Sequence, residues 1–257
     1  MNIVTIFEYD LNQRFYVVML RMLISSIVIN CKSMPYTIHI ITNNKKQLRQ
    51  LFSNSNINII QSPINTLCTD HNIHKNIRHK LYYLCNLNFD FIFIDCDMYV
   101  NHDLKYLWDR RHDKPFIGVN HQPNIVGTLG TYTSAIENNQ YLNSGLQVVS
   151  DPDFLDYSKI LKIGYDNKFI FDVNGFDQAI LHTYFKTIDY EYTHQEVGYE
   201  WNSCASHCKY YKSNTGINLT YKNNNDIYPV KINHYWGEFK PWIIKCPIFK
   251  NYNDVLT

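Results

Sequence analysis

The apolar run Phe89-Asp90-Phe91-Ile92-Phe93-Ile94 is closed by two carboxylates, Asp95 and Asp97, with only Cys96 between them. A strand this apolar is buried on both faces, as in a parallel sheet covered by helices. The acidic groups stand where the strand surfaces, so they must be solvated, paired or metal-bound. Side chains two apart on an extended chain point the same way, and a gentle turn lets both reach one hard cation. Such triplets also arise by chance in loops, so the neighbouring sequence decides which reading holds.

Strand-like runs at Ile3–Phe7, Tyr36–Thr42 and Ile57–Ile60 alternate with helix-like segments at Phe15–Val28, Lys45–Phe52 and His74–Cys85 before the run at Phe89–Ile94. This alternation predicts right-handed βαβ units and a mostly parallel α/β sheet. Open sheets of this kind bind ligands beyond the carboxyl ends of their strands, where Asp95 and Asp97 sit. No Gly-x-Gly-x-x-Gly follows the first strand and no Gly-x-x-x-x-Gly-Lys-Ser/Thr occurs anywhere, so any bound nucleotide leans on a metal. The second half reads as more irregular. Strands are expected at Phe116–Val119 and Leu146–Val149, helices at Asp153–Ile163 and Phe176–Phe185, and a polar stretch from Ser203 to Asp226 with a loop at Asn223-Asn224-Asn225. The tail after Trp242 reads as a packed or frayed extension.

At 257 residues the chain suits one large α/β domain with an ample core. Its net charge of +1 gives no global field for nucleic acid or an anionic membrane, which excludes a generic basic surface as the function. No apolar stretch reaches the roughly 20 residues of a membrane span, and the start, Met1-Asn2-Ile3-Val4-Thr5, lacks signal-peptide character, so a soluble cytoplasmic chain is expected. Seven irregularly spaced cysteines form no disulfide framework. Cys204, His207 and Cys208 lack a second ligand pair at zinc spacing and read as ordinary burial. Heavy use of Asn, Ile and Lys points to a viral, protozoan or A/T-rich bacterial source, and to the host cytoplasm if viral.

Four further segments bear on the acidic pair. Arg78-His79-Lys80 lies on the helix leading into the acidic strand; the ordinary reading of such a charge run is a solvated face. Tyr141-Leu142-Asn143-Ser144-Gly145-Leu146 opens a strand with an amide and a glycine, where Asn can fix hydroxyls and Gly admits close approach to the backbone. In Asn174-Gly175-Phe176-Asp177-Gln178 a turn enters a helix, and capping alone accounts for Asp177. In His234-Tyr235-Trp236-Gly237-Glu238-Phe239-Lys240-Pro241-Trp242 the offsets of His, Gly, Lys, Pro and Trp serve no regular element.

Taken together in this order, Asp95-Cys96-Asp97, Asn143-Ser144-Gly145, Gly175-Phe176-Asp177-Gln178 and His234-x-x-Gly237-x-x-Lys240-Pro241-Trp242 resemble the glycogenin-like members of family 8 glycosyltransferases. The resemblance runs from Val4 to Trp242. It implies a Rossmann-like GT-A fold, its mostly parallel sheet flanked by helices, with a smaller acceptor-side subregion. One domain over 1–257 is expected, with a nucleotide-binding half (1–100) and an acceptor- and sugar-binding half (101–257). The reaction implied is retaining transfer of a hexose from a UDP-sugar, most simply UDP-glucose, with Mn²⁺ or Mg²⁺ as cofactor.

By position, the resemblance makes Asp95, Asp97 and His234 the metal ligands, with Asp95 also near the donor ribose and Cys96 between them. Lys240 becomes the diphosphate cation and Gly237 the point of close backbone approach. Lys80 touches the donor, assisted by Arg78. Asn143, with Ser144 and Gly145 beside it, faces the sugar together with Asp177 and Gln178, and Asn174 is a further candidate. Ile6 and Tyr9 flank the uracil. Asp177 is the one motif carboxylate not assigned to metal, so it is the candidate nucleophile or oxocarbenium stabiliser, with Gln178 as alternative; same-face attack with the leaving phosphate as base is favoured. The acceptor is either the protein's own tyrosine, for which Tyr210 and Tyr211 lie in the corresponding stretch, or a separate glycan, glycolipid or protein receiving galactose, glucose or N-acetylglucosamine. A homodimer is a further expectation. A non-catalytic sugar-nucleotide binder or a nucleotidyltransferase would use a similar acidic pair, but the latter also needs a Gly-rich basic loop after the first strand, which is absent.

Overall fold

Branched and aromatic residues with period-2 alternation make the strands, and stripes at i, i+3 and i+4 make the helices that cover them. The computed structural model describes residues 1–8, 14–62, 75–120, 141–166, 176–204, 208–213, 216–223 and 226–235. Among these, the chain order is β1 (Asn2–Phe7), α1 (Arg14–Asn30), β2 (Thr37–Thr42), α2 (Lys45–Leu51), β3 (Ile57–Gln61), α3 (Lys75–Asn86), β4 (Phe91–Ile94), β5 (Met98–Val100), α4 (Lys105–Asp109), β6 (Phe116–Asn120), β7 (Leu142–Val149), α5 (Tyr157–Asp166), α6 (Phe176–Thr187), β8 (Ser203–Cys204), β9 (Cys208–Ser213), β10 (Gly216–Asn223), β11 (Asp226–Pro229) and β12 (Ile232–His234).

The central sheet has six strands in the order β3-β2-β1-β4-β7-β6. β3, β2, β1 and β4 run parallel, whereas β7 is antiparallel to both β4 and β6. Alternate residues of β4 feed two different cores. Ile92 and Ile94 join Ile3, Ile38, Ile40, Leu146 and Val148 against α1, which contributes Leu20, Leu23, Ile24 and Ile27. Phe91 and Phe93 join Val4, Ile41, Phe116 and Val149 against Leu81 and Leu84 of α3, Ile160 of α5 and Ile180, Leu181 and Phe185 of α6. All four β4 residues are buried, as expected of a strand sandwiched between two helical layers. The chain is thus a three-layer α/β structure with its acidic pair at the carboxyl end of a central strand.

Two small sheets complete the description. β5, β12 and β8 form one, with β12 antiparallel to β5 and parallel to β8. The polar stretch from Ser203 onward, expected to be irregular, instead carries the antiparallel meander β9-β10-β11. A period-2 signal is legible there, since Ile217, Leu219 and Tyr221 alternate with Asn218, Thr220 and Lys222 in β10.

The strand read from Leu146 in fact starts at Leu142, so Asn143, Ser144 and Gly145 sit inside β7 and not ahead of it. The sequence misleads because β7 is irregular at this point. Its register against β6 jumps between Gly118↔Gln147 and Val119↔Asn143. Bulges of this kind bend a strand and re-aim its side chains. Gly118 makes the irregularity possible: a Cβ there would overlap Leu142 Cδ1 and lie 3.3 Å from both Phe116 and Tyr192.

Candidate active site

Asp95 is the first residue beyond β4, and its backbone N–H continues the ladder to Gly145 O at 2.9 Å. A turn at Cys96-Asp97 leads into β5, which α1 anchors: Val100 N donates to Ser26 Oγ at 3.0 Å, and Asn30 Nδ2 donates to Val100 O at 2.9 Å. The acidic triplet is therefore held at both ends. β12 lies against β5 with His234 opposite Met98, and Tyr235 N donates to Asp97 O at 2.9 Å. This pairing brings His234 beside carboxylates more than a hundred residues away in sequence. One ligand atom each from Asp95, Asp97 and His234 lies within 4.8 Å of the others. His234 Nε2 is 3.3 Å from Asp97 Oδ1.

Lys80 of α3 enters from the second core. Its Nζ sits 3.0 and 3.1 Å from the two Asp95 oxygens, 2.9 Å from Asp177 Oδ2 and 3.4 Å from Ser144 Oγ, and 4.8 Å above the Phe93 ring. Burial works against its charge, but the carboxylates of Asp177 and Asp95 outweigh that and hold its ammonium above the ordinary lysine value. Asp95 is pushed up to about 6, first by burial and then by Asp97 and Asp177, against the opposing pull of Lys80 and His234. Among the described residues, Asp95 and Asp177 face the Lys80 ammonium, and Asp97 adds a further carboxylate beside Asp95.

The donor set of Asp95, Asp97 and His234 is the local test for a cation. Two carboxylates and an imidazole supply the hard oxygen and borderline nitrogen donors suited to Mn²⁺, and the imidazole weighs against Mg²⁺. The donors are reachable, since the Asp95 and Asp97 side chains are 28% and 13% exposed. The chain's residues fit a divalent ion.

Lys80, Asp95, Asp97, Asn143, Ser144, Gly145, Asp177 and His234 thus belong to one connected cluster. Gly145 admits a close approach, but the group that approaches is His234: a Cβ at 145 would overlap its Cε1 and lie 2.7 Å from Nδ1. Asn143 uses its Oδ1 internally, accepting from Gly145 N at 2.9 Å and from Asn202 Nδ2 at 2.8 Å. Gln178 follows Asp177 in the first turn of α6 and is half-buried. Cys96 packs on the α1-side core and Ile6 on the other. Arg78 hydrogen-bonds the Tyr157 hydroxyl on α5. Tyr9, Asn174, Gly237 and Lys240 lie outside the described residues, as do the side chains of Tyr210 and Tyr211.

Asn202 is the site residue that sequence reasoning missed. Its Oδ1 lies 2.9 Å from His234 Nδ1. No motif flags it, because it follows the turn Tyr199–Trp201 and meets the site only through the pairing of β8 with β12. A cleft of about 350 Å³ lies along the same segment, lined by Asn120, Glu191, His194, Gln195, Gly198 and Tyr199 among others.

Solved structures share this arrangement of elements. An active-site mutant of LgtC superposes with a TM-score of 0.66 at 16% identity, covering 100% of this chain and 95% of that one. The galactosyltransferase LgtC in complex with donor and acceptor sugar analogs gives 0.65 at 18% identity over 99% and 95%. The fold is GT-A. Mouse xyloside xylosyltransferase 1 has the same fold, with a TM-score of 0.58 at 12% identity over 91% of this chain and 97% of that one. No protein-family model and no curated protein sequence matches the chain. Among the described residues, no helix is long and apolar enough to cross a membrane.

Proposed function

We propose that the chain is a metal-dependent, retaining glycosyltransferase of the glycogenin-like family 8 type, which moves a hexose from a UDP-sugar to a hydroxyl of a separate glycan. The observation that carries the reading is the convergence of Asp95, Asp97 and His234 at the carboxyl end of β4, with Lys80 joining Asp95 to Asp177. Open α/β sheets take ligands beyond the carboxyl ends of their strands, and the three similar solved structures named above are glycosyltransferases.

Asp95, Asp97 and His234 would hold the cation, whose charge would offset that developing on the departing diphosphate. Lys80 stands 2.9 Å from Asp177 Oδ2, a pairing that suits an electrostatic role for this carboxylate beside a developing oxocarbenium better than nucleophilic attack. With its oxygen engaged, Asn143 has only its Nδ2 to offer, as a donor to a sugar hydroxyl. Lys240 and Gly237 act on the diphosphate, and Ile6 and Tyr9 on the base. The cleft beside Tyr199 offers the polar side chains of Asn120, Glu191, His194 and Gln195 to a saccharide acceptor, which supports a separate acceptor over the chain's own tyrosine.

UDP release from UDP-glucose, UDP-galactose and UDP-N-acetylglucosamine, each with Mn²⁺ and with EDTA, tests the reading. The expected outcome is Mn²⁺-dependent turnover of one of them. Absence of metal-dependent donor cleavage with all three would overturn it, and a hexose-sized gain in intact mass would move the acceptor to Tyr210 or Tyr211.

A further inference from the structure

We propose that Asn202 is a positioning residue that sets the tautomer of His234, so that the lone pair of Nε2 faces the seat formed by Asp95 and Asp97. The inference rests on the reading of that seat given above. It starts from a donor whose identity is fixed, because the backbone N–H of Gly145 can only donate, and it donates to Asn143 Oδ1 at 2.9 Å. The Asn143 amide is thereby held with its oxygen toward Gly145 and Asn202. The Asn202 atom 2.8 Å from that oxygen must then be the amide nitrogen. Its own oxygen consequently faces His234 Nδ1 at 2.9 Å and can only accept, so Nδ1 carries the ring proton.

In a neutral imidazole the other nitrogen is then an acceptor. Nε2 stands 3.3 Å from Asp97 Oδ1, two lone-pair-bearing atoms face to face. A shared cation resolves that repulsion. The opposite tautomer would instead donate Nε2–H to Asp97, satisfy both groups and close the seat. Asn202 excludes it.

The relay is built to be rigid. Asn143, Asn202 and His234 are 2%, 1% and 4% exposed. Asn202 N donates to Tyr199 O at 3.0 Å, and the neighbouring Trp201 stacks on Tyr106 with ring centroids 5.6 Å apart. Gly145 belongs to it twice, through its N–H and through the absence of a Cβ where the ring lies. Outer partners that orient a ligating imidazole typically change metal affinity about 10–100-fold when removed.

Two-bond ¹H–¹⁵N spectra of the labelled full chain in EDTA at neutral pH read the tautomer directly, with His234 assigned by the resonance missing in H234Q. The expected result is a protonated Nδ1 and an unprotonated Nε2; a protonated Nε2 in the neutral ring would overturn the proposal. Calorimetric titration with Mn²⁺ alone gives the second readout. N202L is expected to bind about 10–100-fold more weakly than the wild type. N202D still offers Nδ1 an acceptor but sets a second oxygen against Asn143 Oδ1, so its affinity is expected to lie between those of N202L and the wild type. Wild-type affinity in N202L, or N202D as weak as N202L, would also overturn it. If N202L does not fold by circular dichroism, the wild-type tautomer and N202D carry the test. If the wild type binds no Mn²⁺, the cation seat fails as a reading, while the tautomer still decides the role of Asn202.

Discussion

Asp97 and Gly145 show how single atoms govern this site. Asp97 stands beside Asp95, whose carboxyl is raised first by burial and then by the Asp97 charge. Asp97→Asn is therefore expected to lower Mn²⁺-dependent UDP release at least about 100-fold, while thermal stability in EDTA does not fall; a clear loss of stability in EDTA would assign Asp97 a structural role. Gly145→Ala places a methyl against the His234 ring, with β7 and β12 each held in its own sheet so that neither neighbour can easily give. The expected cost is about 1–3 kcal/mol in urea denaturation, the usual range for overpacking. Mn²⁺ affinity should drop with it, and an unchanged affinity would mean that the ring has room to move.

Lys80 ties α3 to the end of β4 and to the first turn of α6. It is the element-scale fastener of the site, since it pairs with Asp95 and Asp177 together. Removing one partner of a buried pair commonly costs about 3–5 kcal/mol; the partial exposure of Asp95 places Lys80→Met toward the lower end. Equilibrium unfolding in EDTA measures that loss, and Mn²⁺ is expected to recover part of it by neutralising the orphaned Asp95. No recovery would show that the ion does not reach Asp95. At this scale much was legible in the chain. Ile92 and Ile94 alternating with Phe91 and Phe93 made β4 readable as a doubly buried strand, and α1, α2, α3 and α6 follow apolar periodicity closely. The irregular start of β7 was not, because a bulge depends on how Gly118 and Leu142 meet across two strands. β5 and β12 were also missed, being three residues each, too short for a period to show.

Across the whole molecule, buried His182 and partly exposed Asp95 act on the acid limb of stability with opposite sign. His182, on the buried face of α6, is held down to about 4 by burial and then by Lys186, against an ordinary value of 6.5. Its unfolded form therefore binds more protons, so its contribution is complete above pH 6.5 and is lost as pH falls toward 4. That loss amounts to about 3 kcal/mol. Asp95 has the opposite sign: its folded value of about 6 lies above 3.8, so protonation favours the folded state as pH falls through that window. Urea denaturation from pH 7 to 4.5 is expected to show His182→Phe gaining on the wild type as pH falls, and a constant difference between the two would remove His182 from the acid limb. Mn²⁺ should steepen the wild-type slope by keeping Asp95 ionised.

The chain by itself determined the α/β alternation and the placement of Asp95 and Asp97 at a strand end, because periodicity is a local property; the candidate roles of Lys80, Asp177 and His234 came from the resemblance alone. Tertiary structure alone decided that Lys80 bridges two carboxylates, that Gly145 makes room for an imidazole, and that Asn202 stands behind His234. These contacts join residues 59 apart, as between Asn143 and Asn202, or 32 apart, as between Asn202 and His234. No local pattern encodes such pairs, since they exist only where the small β5-β12-β8 sheet packs its strands beside β7.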